Sequence, residues 1–80
     1  MRLTKPAKNL AYLSFNAARQ YNFTLDLFDI MGKSLLQKTG VAKTGNNNIP
    51  LNVEQFANGL YLIVFNNHKG QTKTIKLVKQ

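Results

Sequence analysis

The groups able to carry chemistry in this chain are few: the carboxylates Asp26, Asp29 and Glu54, the single imidazole His68, and scattered serine hydroxyls. Acid–base hydrolysis needs two carboxylates facing one substrate bond. Asp26 and Asp29 fall on opposite faces of one expected strand, so they do not make such a pair. Asp29 fits a turn instead. Aspartate first and glycine fourth in Asp29-Ile30-Met31-Gly32 is type I turn chemistry, the carboxylate accepting a backbone N–H two residues on and the glycine taking positive φ. His68 has no cysteine or carboxylate cluster around it with which to hold a metal. Cysteine is absent, which removes thiolate zinc sites and a cysteine nucleophile. Ser14 and Ser34 lie in expected strands without a nucleophile-elbow pattern. Gly40 and Gly45 bracket Val41-Ala42-Lys43-Thr44 but lack the glycine–lysine–threonine ending and following helix of a phosphate loop. The residues therefore predict no catalytic centre, no cofactor and no metal.

Charge is the other chemical asset. Eleven basic residues against three acidic ones give a net charge of +8, which favours anionic partners such as nucleic acid, acidic glycan or a membrane surface. The basic residues are spread from Arg2 to Lys79 without a block of five, as on a solvated surface that keeps a small domain soluble. The aromatics Tyr12, Phe15, Tyr21, Phe23, Phe28, Phe56, Tyr61 and Phe65 could stack on bases or sugar rings. Most, however, occupy expected inward rows, where a thin core needs their area. Nucleic acid is accordingly not the expected partner. A carbohydrate-binding or adhesive β-sandwich module is the alternative function, because that architecture hosts many such sites.

The elements that must position these groups read as strands. Eighty residues make one domain, which hides only about 60% of its unfolded surface. Leu10 to Asn16 alternates, with Ala11, Leu13 and Phe15 on one face. Tyr21 to Ile30 does the same with Tyr21, Phe23, Leu25 and Leu27, and its apolar residues change face at Phe28 and Ile30, which predicts a bulge or a doubly covered end. Lys33 to Lys38 reads as a short edge strand guarded by lysines, Thr39 to Asn48 as a loop, and Ile49 to Val53 as an extended edge segment limited by Pro50. Glu54 to Gly59 fits a single helical turn ended by Gly59. Leu60 to Phe65 is continuously apolar, which predicts a central strand covered on both sides. Thr72 to Val78 is the last strand, with Ile75 and Leu77 inward and Lys73 and Lys79 at the ends of that row.

The sum is an all-β fold, a small antiparallel immunoglobulin-like β-sandwich of six to seven strands over residues 6–80. Residues 1–5 are expected to be a disordered or cloning-derived N-terminal segment. Pro6 to Asn9 is an entry segment in which the proline resists helix and central strand alike. Met1 to Lys5 starts basic but is followed by no apolar h-region, so no ordinary export signal is expected there. No apolar run nears the roughly 20 residues of a membrane-spanning helix. Exposed edges over a thin core allow weak self-association.

Taken in order, Pro6-Ala7, Leu27-Phe28-Asp29-Ile30-Met31-Gly32-Lys33, Ile49-Pro50-Leu51, Phe56-Ala57-Asn58-Gly59-Leu60-Tyr61 and Ile75-Lys76-Leu77-Val78-Lys79 resemble one family. This is the type A C-terminal sorting domain of the bacterial type IX (Por) secretion system, and the likeness spans residues 6 to 79. Lys5 departs from it, standing where asparagine is common. The resemblance implies an immunoglobulin-like sandwich, non-catalytic and without cofactor, covalently part of a larger exported cargo of Bacteroidota. Its implied partners are the translocon and a sortase-like protease of the periplasm and outer membrane. The implied localisation is the periplasm in transit, then the cell surface or the extracellular space. Carried over by position, Asp29, Gly32 and Lys33 match the family's hairpin motif, Gly59 and Tyr61 its glycine–x–tyrosine element, and Lys76 and Lys79 its basic closing strand. With Lys73, whose charge would add steering towards an acidic receptor, these are the expected recognition residues.

Overall fold

Apolar–polar alternation decides which side of each strand is buried, and a computed structural model of the chain, describing residues 1–4 and 9–80, follows it closely. Seven strands run in order: β1 (Arg2–Leu3), β2 (Leu10–Ala17), β3 (Tyr21–Phe28), β4 (Ser34–Ala42), β5 (Gly45–Asn52), β6 (Gly59–Asn66) and β7 (Thr72–Lys79). They form two antiparallel sheets, ordered β1-β2-β5 and β4-β3-β6-β7. Three connections, β2–β3, β4–β5 and β5–β6, cross between the sheets, which is the arrangement of an immunoglobulin-like sandwich.

The inner rows make one core. Ala11, Leu13 and Phe15 of β2, Phe23, Leu25 and Leu27 of β3, Ile49 and Leu51 of β5, and Tyr61, Ile63 and Phe65 of β6 are buried together with Leu77. At one end the aromatic rings concentrate. Phe65 lies 5.1 Å from both Phe15 and Phe23, edge-on to the first and stacked on the second. Such ring pairs add about 1 kcal/mol each beyond their buried area. Where Phe23 pairs with Gly40 of β4, the ring occupies the space a side chain would take: a Cβ on Gly40 would meet Phe23 Cζ at 2.8 Å.

Several expectations are corrected. Thr39 to Asn48 is not a loop, since β4 runs to Ala42 and β5 begins at Gly45. The glycine and asparagines that read as loop signals have sheet roles. Gly40 makes room for Phe23, Asn48 accepts from Ser14 Oγ at 2.7 Å, and Asn46 accepts from Asn16 Nδ2 at 3.3 Å across the β2–β5 ladder. Asn47 takes the N–H of Lys43 and donates to the carbonyls of Lys43 and Gly45, closing the turn with its side chain. Glu54 to Gly59 is a set of turns rather than a helical one, with Phe56 N–H bonded to Val53 O. Gly59 opens β6 instead of ending a helix. The β3 strand ends at Phe28, with the expected irregularity between Leu27 and Phe28. Most consequentially, β6 is covered on one side only: Tyr61, Ile63 and Phe65 are buried, but Leu60 is 41% exposed and Leu62 and Val64 are half-buried. Arg2 and Leu3 are not irregular but pair with Ser14 and Leu13. The entry segment at Pro6 and the departure at Lys5 lie outside the described residues.

Gly40→Val is expected to lower stability by about 1–3 kcal/mol, because the ring it meets is held by neighbouring aromatics and cannot swing away freely. The midpoint of urea unfolding measures this.

Candidate functional site

The β3–β4 hairpin is built around one carboxylate. Asp29 Oδ1 accepts the N–H of Met31 and of Lys33, each at 2.9 Å. Gly32 N–H closes the turn on Asp29 O at 3.0 Å, with Gly32 at φ +85°. That φ is costly for any residue with a Cβ, so Asp29 and Gly32 are both consumed in fixing the turn. They hold Ile30 and Met31 at its tip, 72% and 86% exposed.

The β5–β6 connection is fixed by two other residues. Tyr61, near the start of β6, donates its hydroxyl to Ala57 O four residues upstream, the geometry of a tyrosine corner, and its ring lies 5.6 Å from that of Phe56. Lys79, at the end of β7, donates Nζ to the carbonyls of Val53 (2.6 Å), Glu54 (3.2 Å) and Phe56 (2.6 Å). An ammonium has three protons and no acceptor, so these carbonyls saturate it.

Strand register places the expected residues. Phe28 pairs with Leu62 and Gly59 with Lys79, so the Asp29–Lys33 turn, the loop before Gly59, Tyr61 and Lys79 gather at one end of the sandwich. Lys76 pairs with Leu62 and is exposed on the outer face of the four-stranded sheet. Lys73 pairs with Phe65, six residues along the strand from Lys79, or about 20 Å away at ~3.4 Å per residue. The eight residues therefore do not form one patch. Six share an end, and of those Asp29, Gly32, Tyr61 and Lys79 serve the backbone while Lys33 is exposed.

At the opposite end the polar residues serve their own loop. Asn67 Oδ1 accepts from Lys69 and Gln71 N–H, and His68, at φ +58°, places Nε2 2.6 Å from Thr24 Oγ1. Burial pushes the pKa of the Tyr21 hydroxyl up, and its ring packs on Phe15 and Phe65. No group of three or more histidine or acidic side chains converges among the described residues. Sequence reading missed the exposed tip pair, Ile30 and Met31, and the exposed Leu60 and Val78. The available signal was two large apolar residues at the centre of a turn, where polar ones serve as well.

The sequence profile of the secretion system C-terminal sorting domain matches residues 5–80. No curated protein and no solved structure gives a match. The chain belongs to that family, the C-terminal sorting signal of type IX secreted cargo, whose destination is the cell surface or the extracellular space.

Tyr61→Phe is expected to cost about 1–1.5 kcal/mol, and Lys79→Met about 1–3 kcal/mol by stranding carbonyls of the 53–56 turn. Both variants should speed amide exchange in residues 53–59 more than elsewhere. Because both act on one loop, the double variant should lose less than the sum of the two, as measured by urea unfolding.

Proposed function

We propose that this domain is a non-catalytic address, covalently part of a larger cargo, read as a folded shape by the type IX translocon in the periplasm and at the outer membrane. A sortase-like protease of the same system then removes it. The sorting unit is residues 6–80. The observation that carries this reading is the use made of the motif residues. Asp29 and Gly32 fix one turn and Tyr61 and Lys79 fix the neighbouring loop, so the end of the sandwich is formed before any partner arrives. A surface of that kind incurs little ordering cost on binding. Lys33, Lys73 and Lys76 are exposed and supply long-range steering towards an acidic receptor. Gly59 admits the chain to β6 at φ +154°.

The carbohydrate-binding alternative calls for a row of exposed aromatic rings. Tyr12, at 36%, is the one aromatic among the exposed large apolar residues described, so nothing specific favours that reading.

The test is a fusion of an export signal, a fluorescent reporter, a linker and this chain, expressed in a type IX-competent strain and in an isogenic strain lacking the translocon. The reporter is expected at the surface or in the medium of the first and in the periplasm of the second. Periplasmic reporter in both, with the domain intact, would refute the proposal.

A further inference from the structure

We infer that the receptor engages this domain through an apolar ridge at the turn end of the four-stranded sheet, using an apolar cleft with an acidic rim. The inference rests on the sorting reading and names the chemistry of the partner. The ridge starts at Ile30 and Met31, 72% and 86% exposed, and continues on the outer sheet face with Leu60 at 41% and Val78 at 51%. Leu60 and Val78 pair across β6 and β7, and the next outward row is Phe28, Leu62 and Lys76. Phe28 and Leu62 are only half-buried.

Single exposed apolar residues are ordinary, but four at one end of one sheet, two of them paired across β6 and β7, are not. The other sheet exposes Leu10 at 39% and Tyr12 at 36% at one end of its outer face, but has no apolar turn tip as exposed as Ile30 and Met31 among the described residues. The middle of that face carries Ser14, Asn16, Asn46 and Asn48, paired by hydrogen bonds. The tip is also rigid, because Asp29 Oδ1 holds the N–H of Met31 and Lys33. A large side chain presented on a pinned backbone is the anatomy of a binding anchor, and methionine adapts well to an apolar cleft.

Charge selects the occupant. Lys33 flanks the tip and Lys76 lies in the row with Phe28 and Leu62. Among the described residues the outer sheet face carries one carboxylate, the half-buried Asp26, while Asp29 is committed to the N–H groups of its own turn and Glu54 lies in the neighbouring loop. A second copy would bring +8 against +8, and like charges facing each other oppose association. An acidic rim around an apolar floor is complementary to both features.

The reporter fusion tests this with two variants and one charge-preserving control, all of which leave Asp29, Gly32, Tyr61 and Lys79 untouched. Ile30→Ser/Met31→Ser is expected to slow surface delivery roughly tenfold or more with an unchanged unfolding midpoint. Lys33→Glu/Lys76→Glu should slow it comparably, and Lys33→Arg/Lys76→Arg should not. If the parent chain is exported and both variants match it, the ridge is not the contact, although the sorting role stands. If the parent chain is not exported, the sorting role falls and the inference with it. Two measurements on the purified domain address other occupants. Dimerisation in sedimentation analysis that Ile30→Ser/Met31→Ser abolishes would assign the ridge to self-association. Binding to phosphatidylglycerol vesicles abolished by the same variant would assign it to lipid. Either result overturns the inference.

Discussion

The chain between β5 and β6 has to leave one sheet and enter the other, and no ladder serves its carbonyls on the way. Buried or half-buried carbonyls without donors cost about 1–3 kcal/mol each, a large share of what a domain of this size can hold. The Phe56 N–H already serves Val53 O; Lys79 reduces the remaining cost by giving its ammonium to Val53, Glu54 and Phe56 together, and Tyr61 adds Ala57. The rest depends on this closure. With the crossing pinned, Val53 is fully buried under the sheets, Phe56 packs on Tyr61, and β6 enters its sheet in the register that pairs it with both β3 and β7.

The same device recurs at the sheet edges. Lys38 sits on the inner row of β4, opposite Leu25, where an unpartnered charge would be costly. Its ammonium instead bonds Pro50 O at 3.0 Å, on the edge strand of the other sheet. Without disulfides, a two-layer domain with open edges is thus joined across the layers by lysine ammonium–carbonyl bonds. The net charge of +8 includes Lys38 and Lys79, whose charge still adds to the long-range field but whose ammoniums are committed to backbone carbonyls rather than to a partner's carboxylates. The exposed basic residues described are Arg2, Arg19, Lys33, Lys43, Lys69, Lys73 and Lys76.

Strand existence was legible where alternation was clean: Leu10 to Ala17 and Tyr21 to Phe28 bury every second residue as their pattern requires. The Asp29–Gly32 turn was legible because its chemistry is local to five residues. Thr39 to Asn48 was not, because glycine and asparagine are loop formers by propensity and only tertiary context recruits them to a ladder: Gly40 to seat a ring, Asn46 to Asn48 to pair with a neighbouring strand. The continuous run from Leu60 was read as doubly covered, since an apolar run in water is normally hidden. Its outer row is left half-covered instead. The role of Lys79 could not be read at all, since it depends on contacts with carbonyls far away in sequence and carries no pattern of its own.

Fixing residues and contact residues affect recognition by different laws. If the receptor binds only the folded domain, apparent affinity scales with the folded fraction. A domain of about 5 kcal/mol stability that loses about 2 kcal/mol at Lys79, or less at Tyr61, remains about 99% folded or more, so affinity hardly changes until stability is nearly exhausted and then collapses. A contact residue offers no such buffer, because every 1.4 kcal/mol removed from the interface is about tenfold in affinity. Motif residues that fix shape and neighbours that touch the partner should therefore separate cleanly: the first set reports in unfolding, the second in delivery. The arrangement also explains why a recognition motif need not be the surface that is recognised. Asp29 and Gly32 determine where Ile30 and Met31 stand, and under the proposed contact the motif holds the shape while the residues it displays would meet the partner.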